Sequence, residues 1–346
     1  MKKRYGVLLI GCGHIGYQHI EGIYDKENVT VIATIDERID HAKDYAERFG
    51  ALQYGTDYRP FLDDPRVDIV IIATYTNTHF PLTKECLEHH KHVICEKPIA
   101  TSLADAREYV RLVKNADTKV TVSYILRYNS SYRKIKQLID AGEIGELRMI
   151  RMAQSHKAGA DRDHPWKRFL RLMEDCSPLV DCGVHYADVV QWFTGSPIRA
   201  VSGISAKIDD DAPIDNYQVL NMETENGCRA VYEVGWSKNI STDNTKDFIG
   251  TKGHITLTMA ANRNDKVTDR DLICIYHGDG RPDRVLEFES VYKDMSAQFD
   301  NLVRMIETDC ESVIPIDCVY SALRTVMTAE KAIASGTKLD PTENTD

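Results

Sequence analysis

Apolar residues follow two rhythms along this chain. Up to about residue 125, mainly apolar strand-like runs (Tyr5–Ile10, Val29–Ile35, Val67–Ala73, Lys119–Tyr124, and Val93–Ile99, which ends in an acid, an amine and a proline) alternate with stretches whose apolar positions recur every three to four residues. A run without a polar face predicts a parallel strand covered on both sides, and the longer period predicts amphipathic helices. The helical stretches are Gly16 to Tyr24, Ile39 to Phe49, Tyr58 to Asp63, 80 to 90 and Ser102 to Asn115. Strand and helix in turn predict a doubly wound α/β sheet.

The rhythm then changes. A helix at Ser131 to Ala141 is followed by strands at Glu146–Gln154, Arg199–Ala206, Tyr217–Glu223, Cys228–Val234, Ile255–Met259, Leu272–Tyr276 and Arg284–Phe288, and two helices close the chain. Consecutive strands without crossover helices predict an antiparallel sheet in an α+β domain. Ser177 to Tyr186 and its continuation read as the only long helix interrupting that sheet. Two domains, 1–125 and 126–346, follow.

Composition narrows the partners. Lysine and arginine total 43 against 53 acidic residues, a formal charge of −10, so nucleic acid is not expected. The nine cysteines are scattered without a C-x-x-C pair, which indicates neither a disulfide framework nor a zinc ribbon. The apolar run after Met1-Lys2-Lys3-Arg4 breaks at Gly11, too short for a signal core or a membrane span. A soluble, cytoplasmic protein acting on small molecules is expected.

The first strand runs directly into Gly11-Cys12-Gly13-His14-Ile15-Gly16 and a helix. The glycines suit a tight turn, a pyrophosphate close to the backbone and close helix-strand packing, with the phosphates on the helix N-terminus beside His14 and Ile15. The second strand ends at Asp36, about 20 residues past the last glycine, where an acid binds the adenosine ribose hydroxyls. This is the Rossmann pattern. A carboxylate there favours NAD over NADP, while Arg38 keeps NADP as the second reading. Thr74, Asn77 and His79 follow another strand and read either as helix caps or as cofactor contacts. Glu96-Lys97-Pro98 ends a further strand, the edge where open α/β sheets place their chemistry.

In the second domain Asp181 and His185 stand four apart on one helix face, continued by Asp188 and Trp192. An acid against a histidine fixes a tautomer and lets the ring move a proton, or simply satisfies a buried ring. No third ligand stands at metal spacing, so no metal is expected. Arg151, His156, Lys157, Arg162, His164, Lys167, Arg168 and Arg171 form a basic stretch, either a solvated face or a site for a substrate anion. Trp166 within it suits sugar stacking or ordinary packing.

Together Gly11 to Gly16, Glu96-Lys97-Pro98 and Asp181-x-x-x-His185 resemble the glucose-fructose oxidoreductase, inositol dehydrogenase and MocA family. Asp63 to Asp68, Ala73 to His79, Lys91-His92-Val93 and Ile139 to Glu146 extend the likeness from end to end. The resemblance implies oxidation of a secondary alcohol of a sugar or cyclitol by NAD(P), with Lys97, Asp181 and His185 as the catalytic set. It also implies an open C-terminal sheet that builds homodimers or homotetramers. Where the family often shows Asn-Arg-Arg-Phe, this chain has Tyr124-Ile125-Leu126-Arg127-Tyr128-Asn129, making Arg127 and Tyr128 candidates for substrate selection. An NAD-dependent glycoside hydrolase and a non-catalytic dinucleotide sensor are the alternatives. Glu96 is assigned either to the nicotinamide or to orienting Lys97.

Overall fold

The computed structural model describes residues 3–157, 165–242, 244–259, 270–289 and 291–343. The chain divides into two compact units, Met1–Ile125 with Lys293–Tyr320, and Leu126–Tyr292 with Ser321–Asp346.

The first unit contains β1 (Tyr5–Ile10), α1 (His14–Glu21), β2 (Val29–Ile35), α2 (Ile39–Phe49), β3 (Gln53–Gly55), α3 (Arg59–Leu62), β4 (Ile69–Ile72), α4 (Thr76–Glu88), β5 (His92–Cys95), α5 (Leu103–Asn115) and β6 (Val120–Val122). All pairings are parallel, in the order β3-β2-β1-β4-β5-β6, with the chain reversing direction across the sheet between β1 and β4. The continuous apolar runs are the central strands: every residue of β1 and β4 is buried. Helix ends follow local chemistry. The Ser102 hydroxyl caps α5 by accepting the Asp105 N–H at 3.1 Å, and α2 ends on Gly50 in the left-handed region at φ 67°.

Three local expectations are corrected here. α1 stops at Glu21, so Ile23 and Tyr24 lie beyond it. α4 begins at Thr76, which places Asn77 and His79 in its first turn rather than in a preceding loop. β3, an edge strand of three residues without an apolar run, carried no sequence signal because edge pairing needs only backbone hydrogen bonds.

The second unit opens with a 3₁₀ turn at Ile125–Arg127 and α6 (Ser130–Asp140). It continues with β7 (Leu147–Lys157), α7 (Pro165–Asp175), α8 (Pro178–Thr194), β8 (Ile198–Ala206), β9 (Tyr217–Thr224), β10 (Arg229–Ser237), β11 (Lys246–Gly250), β12 (Gly253–Thr258), β13 (Asp271–His277) and β14 (Arg284–Phe288). Eight strands form one sheet in the order β14-β13-β12-β11-β7-β10-β9-β8, antiparallel except for β7 with β10. α8 is not the only long helix within the sheet, since α7 precedes it with 11 residues. β11 escaped the sequence pattern because it opens with charge: Lys246 is fully buried and Asp247 nearly so. The Lys246 ammonium lies 4.8 Å from the centroid of the Tyr186 ring. Within the basic stretch Arg151 pairs with Asp247 at 2.7 Å, and Arg171 with Glu174 at 3.2 Å and Asp175 at 3.3 Å; Arg162 and His164 lie outside the described residues.

Helix α9 (Met295–Thr308) returns to the first unit, and α10 (Ile316–Ser335) ends the fold. Phe299, Leu302, Val303 and Met305 share a core with Val7, Leu9, Val31 and Ile69. Among the described residues no helix is long and apolar enough to cross a membrane. Because Phe299 is fully buried there, Phe299→Ala is expected to lower unfolding free energy by about 3–5 kcal/mol in urea titration. A loss below about 1 kcal/mol would show that α9 does not stabilise this core.

Candidate active site

The glycine turn separates its three tasks cleanly. Gly11 has φ +99°, and a Cβ there would meet the Ala73 carbonyl oxygen at 2.4 Å. At Gly16 a Cβ would lie 2.0 Å from the Gly11 oxygen, so only hydrogen lets α1 sit this close to the turn. Gly13 is the opposite case: it is exposed, with nothing within 4 Å of an added Cβ. That open ground lies at the N-cap of α1, whose first N–H groups carry the positive end of the helix dipole. His14 is exposed there, 3.0 Å from Gln18, and Ile15 is half-buried.

Asp36, at the end of β2, accepts the Cys12 N–H at 2.8 Å through one oxygen and the Arg38 N–H at 3.0 Å through the other. Each carboxylate oxygen keeps a lone pair for a ribose hydroxyl. Arg38 is exposed and bonded to Asp40 at 2.8 Å. At the end of β4, Thr74 and Thr78 share a hydrogen bond of 2.6 Å, Asn77 is exposed and His79 is buried.

The end of β5 is built around a buried acid. Glu96 is 6% exposed and lies 2.8 Å from His19 Nε2 on α1. Burial raises its pKa, but the His19 hydrogen bond and charge, with Lys97 and Lys293, outweigh burial and bring it to about 2. The ionised carboxylate only accepts, so His19 donates from Nε2. The other Glu96 oxygen accepts the Lys97 N–H at 3.3 Å. Past Lys97 the cis Lys97-Pro98 bond turns the chain, and His79 Nδ1 lies 2.6 Å from the Pro98 carbonyl. Its Nε2 lies 3.1 Å from the Thr74 carbonyl, and burial lowers the pKa of the ring against the raising effect of these two contacts. Lys97 is half-buried where Glu96 and Pro98 on either side are buried. The glycine turn, Asp36, Thr74 and Lys97 thus stand at the carboxyl ends of four adjacent strands, β2, β1, β4 and β5.

In the second unit the Ser177 hydroxyl caps α8 by accepting the Val180 N–H at 3.2 Å, with Pro178 at the first helical position. Asp181 and His185 are half-buried one turn apart, and Asp181 in the first turn suits the helix dipole. The opposite face packs inward: Tyr186 stacks on Tyr232 of β10 with centroids 4.4 Å apart. Arg127 is buried and grips Asp188 of the same helix through two hydrogen bonds of 2.8 Å. Tyr128 is also buried. Trp166 donates to Asp211 at 2.9 Å beneath the Lys238 ammonium, and Lys157 is exposed at the end of β7.

A strand-glycine-helix turn, an acid at the end of β2 and a lysine on one sheet edge occur together with an acid-histidine helix on a second sheet. Residues 5–124 match the model of an oxidoreductase family with an NAD-binding Rossmann fold, and residues 132–256 match the C-terminal domain of the same family. The chain belongs to the Gfo/Idh/MocA oxidoreductases. It is 26% identical over 257 residues to myo-inositol 2-dehydrogenase of Thermotoga maritima, covering 73% of this chain and 74% of that one. It is also 26% identical over 263 residues to the NAD-dependent scyllo-inositol 2-dehydrogenase of Bacillus subtilis, 74% of each. The structure superposes on aldose-aldose oxidoreductase of Caulobacter crescentus with a TM-score of 0.83 at 21% identity, over 98% of this chain and all of that one.

As in a Gfo/Idh/MocA Rossmann domain, the residues present fit a dinucleotide: bare backbone at Gly13, a helix N-terminus with no side-chain cap beside it and Asp36 at ribose distance in sequence. His19 is the residue the sequence reading passed over. Its signal was a histidine beside Ile20 on the buried stripe of α1, which needs a buried acceptor, and Glu96 ends the neighbouring apolar run.

Gly13→Val is expected to leave the melting temperature within about 2 °C and weaken NAD binding at least tenfold by calorimetry, since its Cβ meets only the space meant for phosphate. Unchanged affinity would remove the pyrophosphate from this turn. Glu96 has a depressed pKa, so its contribution to stability is complete above about 4.5 and fades as pH falls toward 2. Between pH 6 and pH 3 wild type should therefore lose more urea stability than Glu96→Gln; equal losses would contradict the assignment.

Proposed function

We propose that this oxidoreductase is an NAD-dependent dehydrogenase that oxidises a secondary hydroxyl of a sugar, sugar derivative or cyclitol. The observation carrying this reading is Lys97, a half-buried amine at the carboxyl end of β5, on the same sheet edge as the glycine turn and Asp36. The inositol dehydrogenases among its relatives support the substrate class. The carboxylate of Asp36 supports NAD over NADP, because it accepts two hydroxyls and repels a 2′-phosphate.

Bound NAD supplies the hydride acceptor. Lys97 holds the reacting oxygen with a fixed positive charge and stabilises alkoxide character as it develops. His185 takes the hydroxyl proton, and Asp181 orients it or bonds the same hydroxyl. Lys157, free of crowding at the end of β7, is the further candidate for substrate contact. The uncovered sheet face, where Ile204, Tyr276 and Val285 are exposed, supports assembly of homodimers or homotetramers through the second unit.

The test is absorbance of reduced cofactor with NAD and with NADP against inositols, free sugars, sugar phosphates and aryl glycosides. Net NADH from an alcohol is expected, with Lys97→Ala and His185→Ala each lowering kcat about a hundredfold or more and leaving NAD affinity within about threefold. Normal turnover by Lys97→Ala sinks the mechanism, and glycoside cleavage without net NADH sinks the dehydrogenase.

A further inference from the structure

Val93, Ile94 and Cys95 are almost completely buried, and the next residue is an ionised carboxylate. An uncompensated charge at that depth costs several kcal/mol, so whatever partners it also fixes it in place. The partner is His19, whose side chain is 1% exposed, and it comes from α1, a different element. The carboxylate therefore has two bonds with different consequences. Through Oε1 it is held by α1 at 2.8 Å, and through Oε2 it holds the Lys97 N–H at 3.3 Å. On the far side of Lys97 the Pro98 carbonyl is held by His79 of α4. The peptide carrying the amine is braced by one buried imidazole before it and another after it.

α1 is also the helix that begins at Gly13, the open ground for phosphate. His19 lies six residues along it, about 9 Å at the helical rise. We propose that His19 is a positioning residue for Lys97: by clamping Glu96 it fixes the peptide that presents the amine and ties it to the helix that receives the dinucleotide phosphates. This rests on the proposed role of Lys97. The interaction is not required for simple charge balance alone, since Lys97 and Lys293 also lower the Glu96 pKa. What His19 adds is direction, a hydrogen bond that selects one carboxylate rotamer.

The test uses the full chain and three variants. In His19→Leu the amide hydrogen of Lys97 is expected to exchange at least tenfold faster, while those of Val93 to Cys95 stay protected. The kcat for the panel alcohol oxidised fastest falls ten- to a hundredfold, and the NAD dissociation constant stays within threefold. His19→Gln, whose amide N–H reaches similarly far, restores exchange and kcat to within threefold of wild type. If the leucine variant does not fold, His19→Asn, one methylene too short, must show the same acceleration and loss. Wild-type exchange at Lys97 in the leucine or asparagine variant overturns the proposal, as does failure of glutamine to restore it while the β5 amides remain protected. Exchange is read without substrate, so an inactive Lys97 hypothesis, exposed by normal turnover of Lys97→Ala, is distinguished from failure of the brace.

Discussion

The buried carboxylate at the end of β5 is the constraint around which the first unit is arranged. Glu96 stays ionised in a place where burial opposes ionisation, and His19 of α1, with the charges of Lys97 and Lys293, reverses that balance. His19 has to be on α1, α1 has to lie against the sheet, and the close approach at Gly16 lets it do so. One charge therefore couples helix, sheet and the loop of Lys97. Its removal leaves a buried imidazole without an acceptor, and the reverse change leaves a buried anion with less support.

Parallel strands buried on both faces supply the frame. β1, β4 and β5 have no exposed face on which to carry chemistry, so every polar group is displaced to the strand ends. The reversal of chain direction between β1 and β4 gathers these ends, which puts the glycine turn, Asp36, Thr74 and Lys97 on one sheet edge without any one loop being long. α9 begins 170 residues past Ile125 yet contributes to the same core, and covers apolar surface that the first 125 residues leave unsatisfied.

The second unit solves a different problem with one helix. α8 presents Asp181 and His185 on one side and buries Val184, Tyr186 and Val190 on the others. Its rotation about its own axis is set by the stack of Tyr186 on Tyr232 and by the double bond from Arg127 to Asp188. A bidentate buried pair is weak as a source of stability but strong as a source of geometry, because either partner alone would be an uncompensated charge. Arg127, read from the sequence as a substrate residue, is occupied in this pair, and the acid on the face after His185 is occupied with it.

Periodicity and turn chemistry by themselves determined the parallel sheet, the glycine turn, the acid at the end of β2, the strand that runs into Lys97 and the helix that carries Asp181 and His185 one turn apart. Each of these is local, written within about 20 residues by apolar spacing, glycine or helical register. What lay outside that range was decided by tertiary structure. β3 and β11 form because a neighbouring strand offers unpaired backbone groups, β11 despite a buried lysine at its start. α9 joins a core made by strands hundreds of residues earlier. His19 and Glu96 stand 77 residues apart and acquire meaning only when α1 settles on the sheet. Local free energies of a few tenths of a kcal/mol per residue choose helix or strand, but only packing chooses which buried groups must answer one another.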